Sequence, residues 1–97
     1  MALTDPNAAL QVLGCLMKEP SLLAEVDKYK LETKDFTNRL HKIIFASIYN
    51  LFNSGASKIS EIEIDNYLSG ASKDQKIFFD NQNGVVFLQD CLELSDL

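Results

Sequence analysis

Apolar residues recur every three to four positions along most of this chain, a spacing that predicts helices rather than strands. A first helix is predicted over about residues 7–18, with Ala9, Val12, Leu13, Leu16 and Met17 on one face. Glu19-Pro20 ends it, because a residue before proline disfavours the helical region. Gly14 lies inside this helix at a cost of about 1 kcal/mol relative to Ala, so another helix crossing close over it is expected. Ser21 is placed to cap a short second helix reaching about Lys30, with Leu22, Leu23 and Val26 turned inward.

The third helix, predicted over about Asn38 to Asn53, carries the widest apolar face. Leu40, Ile44, Ile48 and Leu51 form one stripe, Phe45, Tyr49 and Phe52 its neighbour, and Arg39, Lys42, Asn50 and Asn53 the polar side. Asn53-Ser54-Gly55 supplies a stop, with Gly55 suited to a left-handed conformation. Ser60-Glu61-Ile62-Glu63 reads as a capping box opening a helix to about Ser69. Ile64, Tyr67, Leu68 and Ala71 follow helical spacing, and Gly70 is expected to break the helix. Ser72 to Gln75 offers a second capping box for a short helix carrying Ile77-Phe78-Phe79 and ending near Asn81 to Gly84. A last helix over about 84–95 presents Val85, Leu88 and Leu92 beside Phe87, Cys91 and Leu94. The result is an all-α fold, a compact bundle of about six helices in one domain spanning residues 1–97. Its predicted core contains Val12, Leu13, Leu16, Leu40, Ile44, Ile48, Leu51, Leu68 and Leu88.

Composition narrows the function. At 97 residues, folding removes only about 60–65% of the unfolded chain's surface from water, so burial against a partner is easy to motivate. Nine Lys and Arg against fourteen Asp and Glu give a net charge of −5, the wrong sign for a surface that neutralises phosphates, and strong direct DNA binding is disfavoured. Residues 77–97 carry four acids and no Lys or Arg, whereas residues 28–42 are mildly basic; the two regions either pair or are simply solvated. No window approaches the eighteen apolar residues of a membrane span, and no charged-then-apolar leader is present. A soluble, cytoplasmic protein without membrane contact is expected. Cys15 and Cys91 are distant and sit at apolar helical positions, which predicts free, buried thiols.

Catalytic chemistry finds little support. Gly14, Gly55, Gly70 and Gly84 are isolated, and no G-x-x-x-x-G-K-[ST] exists to surround a phosphate. His41, the single histidine, is expected to act structurally near a helix start, and neither cysteine has a local activating feature. Glu61, Glu63 and Asp65 would gather on one face of a strand, but helical spacing sends them to different sides. No metal or cofactor site is predicted. Ile77-Phe78-Phe79 is too continuous to bury fully on one short helix, so at least one member is expected at the surface; Phe78, Phe79 and Phe87 are the candidate interface residues.

Several motifs carry a family resemblance: Val12-Leu13-Gly14, Leu31, Asp35-Phe36, His41-Lys42-Ile43-Ile44-Phe45, Ser60 to Leu68, and Asn83-Gly84-Val85-Val86-Phe87-Leu88. In that order and spacing, over about residues 6–95, the chain resembles the N-terminal domain of DnaB-type replicative DNA helicases. Ala8 and Leu10 stand where the family carries acids, and Asn83 and Phe87 replace its usual Gly and Tyr. The resemblance implies structural roles for Gly14, Asp35, Phe36, His41, Ile44, Phe45 and Gly84. It also implies a non-catalytic head followed in the parent helicase by a helical hairpin, a linker and a RecA-like motor, which alone would use ATP and Mg. Six heads form a collar that engages primase and in some cases a loader. The chain stops at Leu97, where the hairpin would begin, so weak dimerisation is expected of it and hexamers of the full parent. Two alternatives stand beside this reading: the helicase-binding domain at a primase C-terminus, and a small helical enzyme subunit, which would show a polar cluster around His41.

Overall fold

The computed structural model describes residues 6–24, 36 and 38–95. Among the described residues, five α-helices and one 3-10 turn make up the regular structure and there is no strand; the fold is all-α. Helix α1 (Pro6–Lys18) begins on a proline, whose fixed φ and missing N–H suit a first helical position. Ala9, Leu13, Leu16 and Met17 are buried along it, with Val12 half-buried against them. The Glu19 N–H still donates to the Cys15 carbonyl at 2.9 Å, and Pro20 then turns the chain.

Pro20–Ala24 is a 3-10 turn, and Ser21 lies exposed inside it rather than capping it. The turn starts two residues earlier than predicted because Pro20 itself takes the first helical position, and the Leu22 N–H donates to the Glu19 carbonyl at 3.1 Å. Val26, Lys30, Leu31 and Asp35 lie outside the described residues.

Helix α2 (Arg39–Asn53) is capped by Asn38, whose Oδ1 accepts from the N–H groups of Leu40 at 2.7 Å and His41 at 3.4 Å. Its buried residues run from Leu40 to Ile48 and include Ile43 and Ser47, beyond the predicted stripes. Ser47 is tolerated there because its hydroxyl donates to the Ile43 carbonyl at 2.8 Å. Later turns are more open: Leu51 and Phe52 are half-buried, and Tyr49 is 47% exposed. The helix closes in a Schellman arrangement, with Gly55 at φ 103°, its N–H on the Phe52 carbonyl at 3.0 Å, and the Ala56 N–H on that of Leu51 at 3.1 Å.

The following loop is tied to α1 by the Ile59 N–H, which donates to the Met17 carbonyl at 2.9 Å. Ser60 then caps α3 (Glu61–Ala71): its hydroxyl accepts the Glu63 N–H at 3.4 Å and donates to Glu63 Oε1 at 3.4 Å, so the acid returns to the cap's hydroxyl. Gly70 does not break α3. A glycine penalty near 1 kcal/mol is too small to end a helix; the stop comes at Ser72, extended at φ −155°. Its N–H donates to the Leu68 carbonyl at 3.1 Å, while its hydroxyl accepts from the Gln75 N–H at 3.4 Å to open α4 (Lys73–Asn81).

Lys76 fastens α4 to α3, its Nζ standing 2.6 Å from Asp65 and 2.6 Å from Asp80. Both carboxylates raise the lysine's pKa. Asn83 adopts the left-handed region at φ 53°, which its short polar side chain tolerates, and leads into α5 (Gly84–Leu94). Gly84, Leu88 and Cys91 form the inward line of α5, which leaves Val85 and Val86 at 36% and 56% exposure; the prediction that Val85 points inward fails because the line starts one residue earlier.

The most extensive packing joins α1 to α5. At their crossing Gly14 faces the Cys91 carbonyl so closely that a Cβ on residue 14 would overlap it and the Ser95 side chain. The predicted close crossing is therefore present, and the obstacles are α5 and its C-cap, Ser95. Seven of the nine predicted core residues are buried, with Val12 and Leu51 half-buried at the edge. Gly14→Ala should destabilise the fold by about 1–3 kcal/mol through overpacking. Gly70→Ala, where the added Cβ meets nothing within 4 Å, should stabilise it by about 0.4–1 kcal/mol. Urea denaturation of the two variants checks the opposite signs.

Candidate functional site

His41, Phe78, Phe79, Phe87 and Gly84 of the residues singled out by sequence lie where α2, α4 and α5 come together, whereas Gly14 lies at the crossing of α1 and α5. Asn38 fixes the start of α2, which sets Arg39 outward and His41 inward on the same first turn. The His41 imidazole is 7% exposed and stacks on the Phe87 ring of α5, centroids 5.1 Å apart and planes 23° from parallel. The Arg39 guanidinium lies 4.4 Å above the Phe78 ring of α4. One turn of α2 thus holds one aromatic from each of two later helices. Phe36 is fully buried with its ring 5.0 Å from Phe45, and Ile44 lies in the core beside them.

Phe79 is corrected by the structure as an accessible interface residue: it is completely buried, and its ring fills the space in front of Gly84 so that a Cβ there would overlap it. Of the Ile77-Phe78-Phe79 run, Ile77 is the open member at 50%, while Phe78 and Phe87 are half-buried beneath their α2 partners. Periodicity cannot rank three successive residues that fan over about 200° of a helix. Further exposed apolar side chains are Ile62 on α3, Tyr49 on α2, and Val85 and Val86 on α5. Ile62 sits between the two glutamates of a first turn, and that signal was available in the sequence.

The chemistry of these groups is that of packing. Burial lowers the His41 pKa, which favours the neutral ring against Phe87. Cys91 is buried and its thiol is pushed up to about 12, by desolvation first and then by the Asp90 charge. Cys15, predicted buried, is exposed: Gly14 takes the position facing α5, and the next residue is rotated off that line. Both thiols are free. Among the described residues no group of three His, Cys, Asp or Glu side chains is gathered as a metal site would require, and no described helix is long and apolar enough to cross a membrane.

Residues 2–92 match the family described as DnaB-like helicase N terminal domain. The chain belongs to this family. Within the DnaB-like N-terminal domain, the motif residues Gly14, Phe36, His41, Ile44, Phe45 and Gly84 all lie at buried contacts between elements; Asp35 lies outside the described residues. The chain is also similar to an SPbeta prophage-derived uncharacterized protein, YorI, of Bacillus subtilis (strain 168), with 40% identity over 93 residues that cover 96% of this chain and 18% of that protein. The chain therefore spans less than a fifth of that relative's length. No solved structure matches.

His41 predicts a pH dependence. Burial holds its folded pKa below the ordinary histidine value, so the unfolded chain binds the proton more readily in that interval. The stability associated with the neutral ring is complete above the unfolded pKa and is lost as pH falls through the folded one. The urea midpoint should drop between neutral pH and pH values below about 6, and His41→Phe should flatten that part of the profile.

Proposed function

We propose that this chain is the non-catalytic N-terminal head of a hexameric, ATP-dependent replicative DNA helicase, serving assembly and partner docking in the cytoplasm. The observation that carries the reading is the family match over residues 2–92. It also favours the helicase head over a helicase-binding domain of primase. A role as a small enzyme subunit loses support at His41, whose ring is stacked against Phe87 and favoured in its neutral form, with no polar cluster around it among the described residues.

Primase, and in some systems a loader, are the partners this reading assigns to the assembled head, while ATP and Mg belong to a motor domain of the parent. Self-association draws on the α4 surface around Ile77, half exposed, and Phe78, half covered by Arg39. Phe79 is removed from that surface by its burial. Specific interfaces generally need more than about 1,000 Å² in total, more than two such side chains supply, so the expected state is a monomer–dimer equilibrium in the micromolar range or weaker.

Sedimentation velocity over a concentration series tests this, with Ile77→Ser and Phe78→Ser each expected to shift the equilibrium toward monomer. A strictly monomeric protein at the highest concentrations, or a dimer indifferent to both substitutions, would overturn the assembly surface. ATP turnover by the purified chain, or tight single-stranded DNA binding at physiological salt, would overturn the reading as a non-catalytic head.

A further inference from the structure

Helix α5 departs from the charge placement of its neighbours. In α3 and α4, Glu61, Glu63 and Asp74 occupy first turns, where the helix dipole favours an anion, and Asp65 and Asp80 share Lys76. Helix α5 carries no acid in its first turn and no base in its last; its acids, Asp90 and Glu93, stand toward the C-terminal end, where the dipole disfavours them. Neither makes an ion pair among the described residues, and both are exposed.

Helical spacing sets these acids beside apolar surface. Val86, Asp90 and Glu93 follow one another at i, i+4 and i+7, with Gln89 between them and Val85 at the edge, so one outward face holds exposed valine at its start and carboxylate at its end. From Val86 to Glu93 the face runs for about 10 Å along the helix. No Lys or Arg occurs between residues 77 and 97 to neutralise it from within the segment.

We propose that the outward face of α5, through Val85, Val86, Gln89, Asp90 and Glu93, docks a cationic amphipathic helix of a partner protein. The inference rests on the docking role proposed above and names the class of partner for a surface distinct from the α4 surface. Charge complementarity selects the occupant: an aliphatic side chain covers the valines, and Lys or Arg three to seven residues along its own helix meets Asp90 and Glu93, relieving their conflict with the dipole. A second copy of this chain is a poorer fit. Two copies, each at net charge −5, repel one another, and of the bases near exposed Ile77, Lys76 is held by Asp65 and Asp80 and the Arg39 guanidinium is engaged on Phe78, which leaves Lys73 as the one exposed base of α4.

The test titrates the 15N-labelled protein with a synthetic helix of about four turns, made of Ala, Leu and Lys with Leu and Lys on one face. Amide shifts centred on residues 85–93 are expected, with affinity falling as salt rises. Replacing Asp90→Lys together with Glu93→Lys should weaken binding about tenfold or more while raising the melting temperature by about 3–8 °C, because the dipole conflict is removed. Val86→Ser should weaken binding as well, and Glu61→Lys with Glu63→Lys should leave it unchanged. Opposite movement of stability and affinity is the signature that a merely structural α5 would not give. Shifts spread equally over the start of α3, indifference to the α5 charge reversal, absence of binding, or a self-associated protein in which α5 is already covered would each overturn the inference. The head reading is judged separately by the sedimentation series, so the two fail independently.

Discussion

Between α1 and α5 there is room for a hydrogen atom on Gly14 and for nothing larger. The Cys91 carbonyl and the Ser95 side chain occupy the space a Cβ would need, so the first and last helices of the described chain meet backbone to backbone. Close approach multiplies dispersion contacts that are individually near 0.1–0.2 kcal/mol, and it sets the depth at which Leu13, Leu16, Met17, Leu88 and Cys91 interleave. The contact joins the first and last described helices, and each described element between them packs on one or the other. Helix α2 packs against α1, and α3 packs against both α2 and α5.

A second close approach repeats the device on a smaller scale. Gly84, placed at the start of α5 by the left-handed Asn83, leaves room for the Phe79 ring, so the turn from α4 to α5 is locked by an aromatic side chain against bare backbone. Two further contacts radiate from the first turn of α2, where Arg39 covers Phe78 and His41 stacks on Phe87. The aromatic residues of α4 and α5 thus serve mainly to orient their helices. The large apolar side chains left exposed among the described residues are Ile62, Ile77, Val85 and Val86, with Tyr49 on α2.

Several features were legible residue by residue. Ser60 and Ser72 cap the helices they were expected to cap, Gly55 takes positive φ after α2, and Gly14 marks a close crossing. These signals are local, each depending on a side chain meeting its own backbone or on a glycine's missing Cβ. Cys15, Val85 and Phe79 depart from the sequence reading for a shared reason: each lies where the choice is among neighbouring residues, and one position rotates a side chain by about 100° around the helix. Ser21 and Gly70 depart for local reasons of their own. Pro20 moved the start of its turn, Ser72 rather than Gly70 set the stop of α3, and Gly84 moved the inward line of α5.

The all-α class, most helix limits, most of the core and the family follow from the residues alone, because periodicity, capping and motif order are properties of the chain before it packs. Packing between helices decided that Phe79 is core and Ile77 surface, that His41 is spent on Phe87, and that the valines on the acidic face of α5 stay exposed. Those outcomes depend on which neighbour arrives over each face, and that is settled by helices far apart in sequence packing to the closest distance Gly14 and Gly84 permit.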